Sequence, residues 1–187
     1  MPYTTEAQIE DYLERDLNSH EVGMIVTAIP AVDHLVDTIC GRTFENTTAA
    51  TRYYDGNGKR ELFINDFSSV TSIAYIDEDS VVTVTLEENE EYELYPLNAD
   101  YKNSIVLRGG TWSKGIKNIK VVGNLGFTSI PEAIQMAATM IVANLIDSYA
   151  QNLKSRSIEG YSEVYTNILT ENPQIQSLLS SYKKVLV

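Results

Sequence analysis

Asp55, Asn57 and Glu61 fall in RYYDGNGKRELFIND, residues 52–66, where oxygen ligands and glycines alternate as at the start of a calcium loop. Such a loop needs ligands at alternate positions, then a glycine, then a bidentate glutamate at the twelfth position. Lys59 and Arg60 stand where further ligands belong, and the flanking patterns are β rather than helical. The stretch therefore reads as a tight hairpin turn, with Asp-Gly and Asn-Gly supplying positive φ. His20 and His34 lie on helical patterns with no second ligand at metal spacing, so no zinc site is expected. No G-x-S-x-G, P-loop or G-x-G-x-x-G occurs. Paired carboxylates gather in an acidic β segment whose side chains point to water rather than into a cleft. The expectation is a protein that is not an enzyme and has no metal and no cofactor. The 12 tyrosines include Tyr53, Tyr54, Tyr92, Tyr95 and Tyr101 in the β region, where they suit half-buried strand positions or contact with protein or glycan.

With 187 residues, 43% apolar and 21% charged, the chain is long enough for one ordinary domain, or for one carrying a smaller insertion, and has globular composition. MPYTTEAQIEDYL has neither a basic nor an apolar leader region, so no signal peptide is expected. The most apolar stretch, Ala133 to Ile146, is too short and too polar for a membrane span, and no membrane insertion is expected. Cys40, the single cysteine, excludes an internal disulfide and reads as a small core residue. A net charge of −12 argues against tight binding to nucleic-acid phosphates.

The elements follow from periodicity. Thr5 and Gln8 form a capping box ahead of Ile9, Tyr12, Leu13 and Leu17. A second helical pattern runs from Val22 to Cys40 with Gly41 as its stop, and Pro30 predicts a kink or two abutting helices near Thr27 to Pro30. Short β-rich runs fill Thr51 to Phe127, giving a sheet of five or six strands in which VVTVTL and EYELYPL alternate around a charged EENEE turn. Helical periodicity returns after Ser129, with Ile134, Ala138, Ile141, Leu145 and Tyr149 on one face. A last helix is capped by Asn172 and Pro173, with a stripe of Ile175, Leu178, Leu179, Tyr182 and Leu186. The fold class is α+β. N- and C-terminal helices, residues 1–50 and 128–187, form a helical bundle into which an antiparallel β-sheet domain, 51–127, is inserted.

Several phrases in this order carry a resemblance: TTEAQIEDYL, VDTICGRTF, RYYDGNGKREL, NIKVVGNLGFTSIPEAIQMAA, SIEGYSEVY and LLSSYKKVLV. Together they resemble the head-tail connector proteins (adaptor, or head-completion, proteins) of long-tailed bacteriophages, over nearly the whole chain. Helix-only members of that family are shorter, and the β insertion is a departure from them. The resemblance implies a structural virion protein assembled in the host cytoplasm. It would form a dodecameric ring in the neck, between the portal protein and the stopper or tail, and extend the DNA channel. It also implies that the C-terminal segment, Ser181, Tyr182, Lys183, Lys184, Val185, Leu186 and Val187, engages the portal. The alternatives are another neck component, a stopper or tail terminator, or a glycan-binding module of the tail or surface.

Charge is uneven along the β region. Asp77 to Glu93 holds eight acidic and no basic residues, whereas Tyr101 to Pro131 holds five basic and no acidic ones. In a head-to-tail ring, unlike faces meet, so Glu88, Glu90 and Glu91 on one subunit and Lys114, Lys117 and Lys120 on the next are the expected contact. An acidic conduit lets DNA pass without gripping it.

Overall fold

The computed structural model describes residues 1–152 and 172–184. Within them the elements are α1 (Glu6–Leu13), α2 (Ser19–Cys40), β1 (Thr47–Gly56), β2 (Glu61–Ile76), β3 (Val82–Leu86), β4 (Tyr92–Tyr95), β5 (Lys102–Leu107), β6 (Gly115–Leu125), α3 (Glu132–Asn152) and α4 (Pro173–Ser180). They form an α+β fold with an antiparallel sheet. The chain divides into two compact units, one of Met1–Arg42 with the residues from Ile130 onward, the other Thr43–Ser129.

In the helical unit the caps predicted from sequence are made. Thr5 and Gln8 close a capping box on α1, and Gly41 ends α2 in the left-handed region at φ 64°. Asn172 accepts the Gln174 and Ile175 amides at the start of α4. A second capping box joins Asn18 and Glu21, so α2 starts three residues ahead of the expected Val22. Pro30 does not divide α2, which runs unbroken for 22 residues. Proline removes the bond to the carbonyl of Val26, but Val26 and Pro30 are both exposed and water can take that carbonyl. Among the described residues one helix, α2 rather than α3, is long and apolar enough to cross a membrane, by length and composition only. Helix α3 is the hub: Ala137 to Ala143 are buried without a break, and α1, α2 and α4 all pack on it. Such all-round burial exceeds the single stripe read from sequence. Helix α4 ends at Ser180, so the stripe does not continue through Tyr182, and Leu186 lies outside the described residues.

In the sheet unit the 16-residue β2 is the organising strand. One edge pairs with β6 along Phe67–Tyr75, and the other takes β5 over Glu61–Phe67 and then β3 over Ile73–Ile76. The order is β1-β6-β2-β5-β4, with β3 on β2. Two expected hairpins are therefore absent. The reversal at Asp55 to Glu61 joins strands separated by β6, and the stretch from Glu87 to Glu91 joins β3 to β4, whose partners are β2 and β5. Strand β1 also begins at Thr47, ahead of the expected Thr51. The core gathers Leu62, Ile73, Ile105, Ile119 and Val121 around Trp112, which is 1% exposed. Gly126 ends β6 at φ 89°, where a Cβ would stand 2.0 Å from the Glu45 carbonyl oxygen, so only glycine fits.

Candidate functional site

Two of the three calcium-like side chains, Asp55 and Asn57, are committed to backbone. Asp55 Oδ1 accepts the Lys117 amide at 2.6 Å, and Asn57 Oδ1 accepts the Lys59 amide at 2.8 Å while its Nδ2 donates to the Glu61 carbonyl. Asn118 accepts the Gly56 amide at 2.8 Å and donates to the Ser113 carbonyl. These bonds dock the turn on the start of β6, which is why it is a turn but not a hairpin. Among the described residues no cluster of three or more His, Cys, Asp or Glu is placed to hold a metal ion. Cys40 is buried, and burial pushes its thiol up to about 11, so it is not a ready nucleophile.

The charged residues fall into two groups with different roles. Lys102 Nζ donates to the carbonyls of Pro96, Leu97 and Ala99, and Arg108 pairs with Glu93 across β4 and β5, so both are used within the chain. The remaining cations gather elsewhere. Lys114 lies over Gly58, Lys117 stands 4.7 Å from the centre of the Tyr53 ring, and Lys120 is cross-strand from Tyr53. Glu88, Glu90 and Glu91 are exposed in the connection between β3 and β4, where Glu91 Oε2 accepts the Glu87 amide. The six residues expected at a subunit contact are not brought together within the chain: the lysines lie on the β1–β6 side of the sheet and the glutamates beside β3 and β4.

At the C-terminal segment, Ser181 and Lys183 are exposed, and the Lys184 amide donates to the Cys40 carbonyl at 2.8 Å. That bond satisfies an orphan carbonyl at the end of α2. The segment is therefore tied down at least to Lys184; Val185, Leu186 and Val187 lie outside the described residues.

A family model described as "Head completion protein" matches residues 4–185. The chain belongs to the head completion protein family. Three solved structures share the fold. One is described as the neck of an empty GTA particle computed with C6 symmetry, 13% identical, with a TM-score of 0.60 over 100% of this chain and 91% of that one. Another is the virion of a native gene transfer agent (GTA) particle, 15% identical, with a TM-score of 0.57 over 100% and 91%. The third is the neck of a native GTA particle computed with C12 symmetry, 14% identical, with a TM-score of 0.50 over 97% and 88%. At these identities the likeness is one of fold. No curated protein matches the chain. The matched fold includes the sheet unit, so the β region is not peculiar to this head completion protein.

Of the five tyrosines named in the β region, Tyr53 and Tyr95 are exposed, and the others are occupied within the chain. Tyr92 is buried, Tyr54 donates to Asn65 at 2.8 Å, Tyr75 packs on Trp112 and Tyr101 on Phe127. With Trp112 itself buried, stacking on a glycan has no exposed indole to use, and fluorescence quenching of Trp112 would not report it.

Proposed function

We propose that this head completion protein is a structural subunit of the particle neck, forming a ring between the portal and the stopper or tail and extending the channel through which DNA passes. The observation that carries the reading is the family match across residues 4–185. The shared fold with neck structures of C6 and C12 symmetry supports a closed ring, with twelve copies as the number to test. The chain's net charge of −12 suits a passage that does not grip phosphates. The helical unit builds the ring, Glu88, Glu90 and Glu91 of one copy face Lys114, Lys117 and Lys120 of the next, and residues 181–187 engage the portal.

Two experiments test it. Particles made without the chain should be filled heads that lose DNA and carry no tails, and adding purified chain should restore tail joining. Normal tailed particles would overturn the reading. For the portal contact, Lys183→Glu with Lys184→Glu keeps the amide that binds Cys40, whereas deletion of 183–187 removes it. The double reversal should abolish capture by the portal, and Lys183→Glu alone, at an exposed position, should weaken capture while leaving the thermal midpoint unchanged. Unchanged capture removes this assignment.

A further inference from the structure

Part of the sheet is a four-stranded row, β1-β6-β2-β3, and among the described residues neither outer edge has a strand partner. Tyr54, Ile119, Tyr75 and Val84 lie across it, as do Arg52, Val121, Ile73 and Leu86. Laterally paired residues share a face. Arg52 and Tyr54 at one edge thus lie on the same side as Leu86 and Val84 at the other, and that side carries the core residues Ile119, Val121 and Ile73.

The two edges are unlike. Strand β3 alternates valine and threonine and is exposed up to its buried end at Leu86, with Val82 46% and Val84 50% exposed and Val81 just before it 59%. It is flanked by Asp77, Glu78 and Asp79 before it and Glu87, Glu88, Glu90 and Glu91 after it. No lysine, proline or inward charge protects this edge, the usual means of preventing pairing with another chain. Strand β1 carries Arg52 and Tyr53, and Lys114, Lys117 and Lys120 lie beside it on and near β6. Between register shifts at Thr47/Ala50 and Tyr54/Gly56, β1 is regular for the five residues Ala50–Tyr54, and β3 is itself five residues long.

We propose that β3 of one copy pairs with β1 of a second copy, so that the row continues from subunit to subunit. The inference rests on the ring reading and supplies a contact for it. All neighbours in the row are antiparallel, so a head-to-tail copy that keeps its orientation presents β1 antiparallel to β3. Val84 is then covered by Tyr54 and the aliphatic stem of Arg52 from the second copy. The turn holding Asp77, Glu78 and Asp79 reaches the end of β1, where Asp55 holds the Lys117 amide. Backbone bonds and apolar cover supply the affinity, and the charges fix which edge meets which.

Particles assembled with the full chain carrying Arg52→Cys and Val84→Cys test this. A bis-maleimide spanning about 7 Å, one same-face step along a strand, tolerates either register. Denaturing gels should show a ladder of covalent multimers, while each single variant gives none beyond the dimer; buried Cys40 does not react. Val84→Lys, at a position 50% exposed, should remove the chain from the neck while leaving its thermal midpoint unchanged. A wild-type neck ring with no ladder from the double variant, and normal occupancy by Val84→Lys, would overturn the edge pairing and leave the ring reading standing. Absence of the wild-type chain from necks would remove both.

Discussion

The helical unit and the sheet unit solve the same problem differently. In the helical unit, polar side chains close helix ends and tie distant segments. Tyr3 donates through its amide to Asp33 and through its hydroxyl to Asp37, and Thr4 bonds Thr139 at 2.7 Å in the interior. Gln8 donates to Gln135, and Arg15 grips Glu21 at 2.8 Å through both guanidinium nitrogens. In the sheet unit, stability comes from an apolar cluster around one indole, and Glu88, Glu90, Lys114 and Lys120 form no ion pair among the described residues. Where charges are already used, a surface has little left to offer a partner. The sheet unit, although Lys102, Arg108 and Glu93 are used within it, keeps Glu88, Glu90, Lys114 and Lys120 out of ion pairs, and the proposed contact between copies draws on these charges.

The largest effect that separates the units is expected at Trp112. Trp112→Ala empties the centre of the sheet core and should cost about 3–5 kcal/mol. Amide exchange should rise across residues 43–129 and hold in α2 and α3; an equal rise in the helices would break the comparison.

Next comes Glu21. Arg15, with help from the Asn18 amide, holds the Glu21 carboxyl below the ordinary carboxylate range. Its contribution is therefore complete above the unfolded value, near about 4.3, and is lost as pH falls through the lower folded value. Glu21→Gln, which keeps size but loses the charge-assisted bonds, should cost about 1.5–3 kcal/mol at neutral pH. The difference from wild type should shrink in acid. Urea titrations at neutral and acid pH check this, and a constant difference would show that the ion pair is not the cause.

Thr5→Ala should be smaller, about 1 kcal/mol, read as a lowered thermal midpoint. Smallest in stability is the joint reversal of Lys114, Lys117 and Lys120 to Glu, since exposed charges move stability little. The same change should weaken neck assembly, and unchanged assembly at low salt would remove these lysines from the contact.

Local chemistry made much of this readable. Thr5 with Gln8, Gly41, and Asn172 with Pro173 announce caps through bonds within one helical turn, and the sequence placed them correctly. Six strands lay within the expected count. What failed was non-local. Asp-Gly-Asn-Gly looks the same whether the next strand pairs with the last or β6 comes between them, because the deciding bonds come from Lys117 and Asn118, some sixty residues on. Alternation in VVTVTL promised half-burial, yet β3 sits at an edge where Val82 and Val84 remain uncovered. Pro30 weighed against one helix because sequence does not say that its side of α2 faces water. Family membership was legible because the phrases that carry it are themselves caps, turns and amphipathic faces in a fixed order.

The central claim, a neck subunit, is tested most directly by gold-labelled antibody to this chain on particles that carry it, viewed by negative-stain microscopy with tails attached and with tails removed. The account predicts label at the neck, more accessible on tail-less heads. Label at the tail tip, or on no particle, would contradict it.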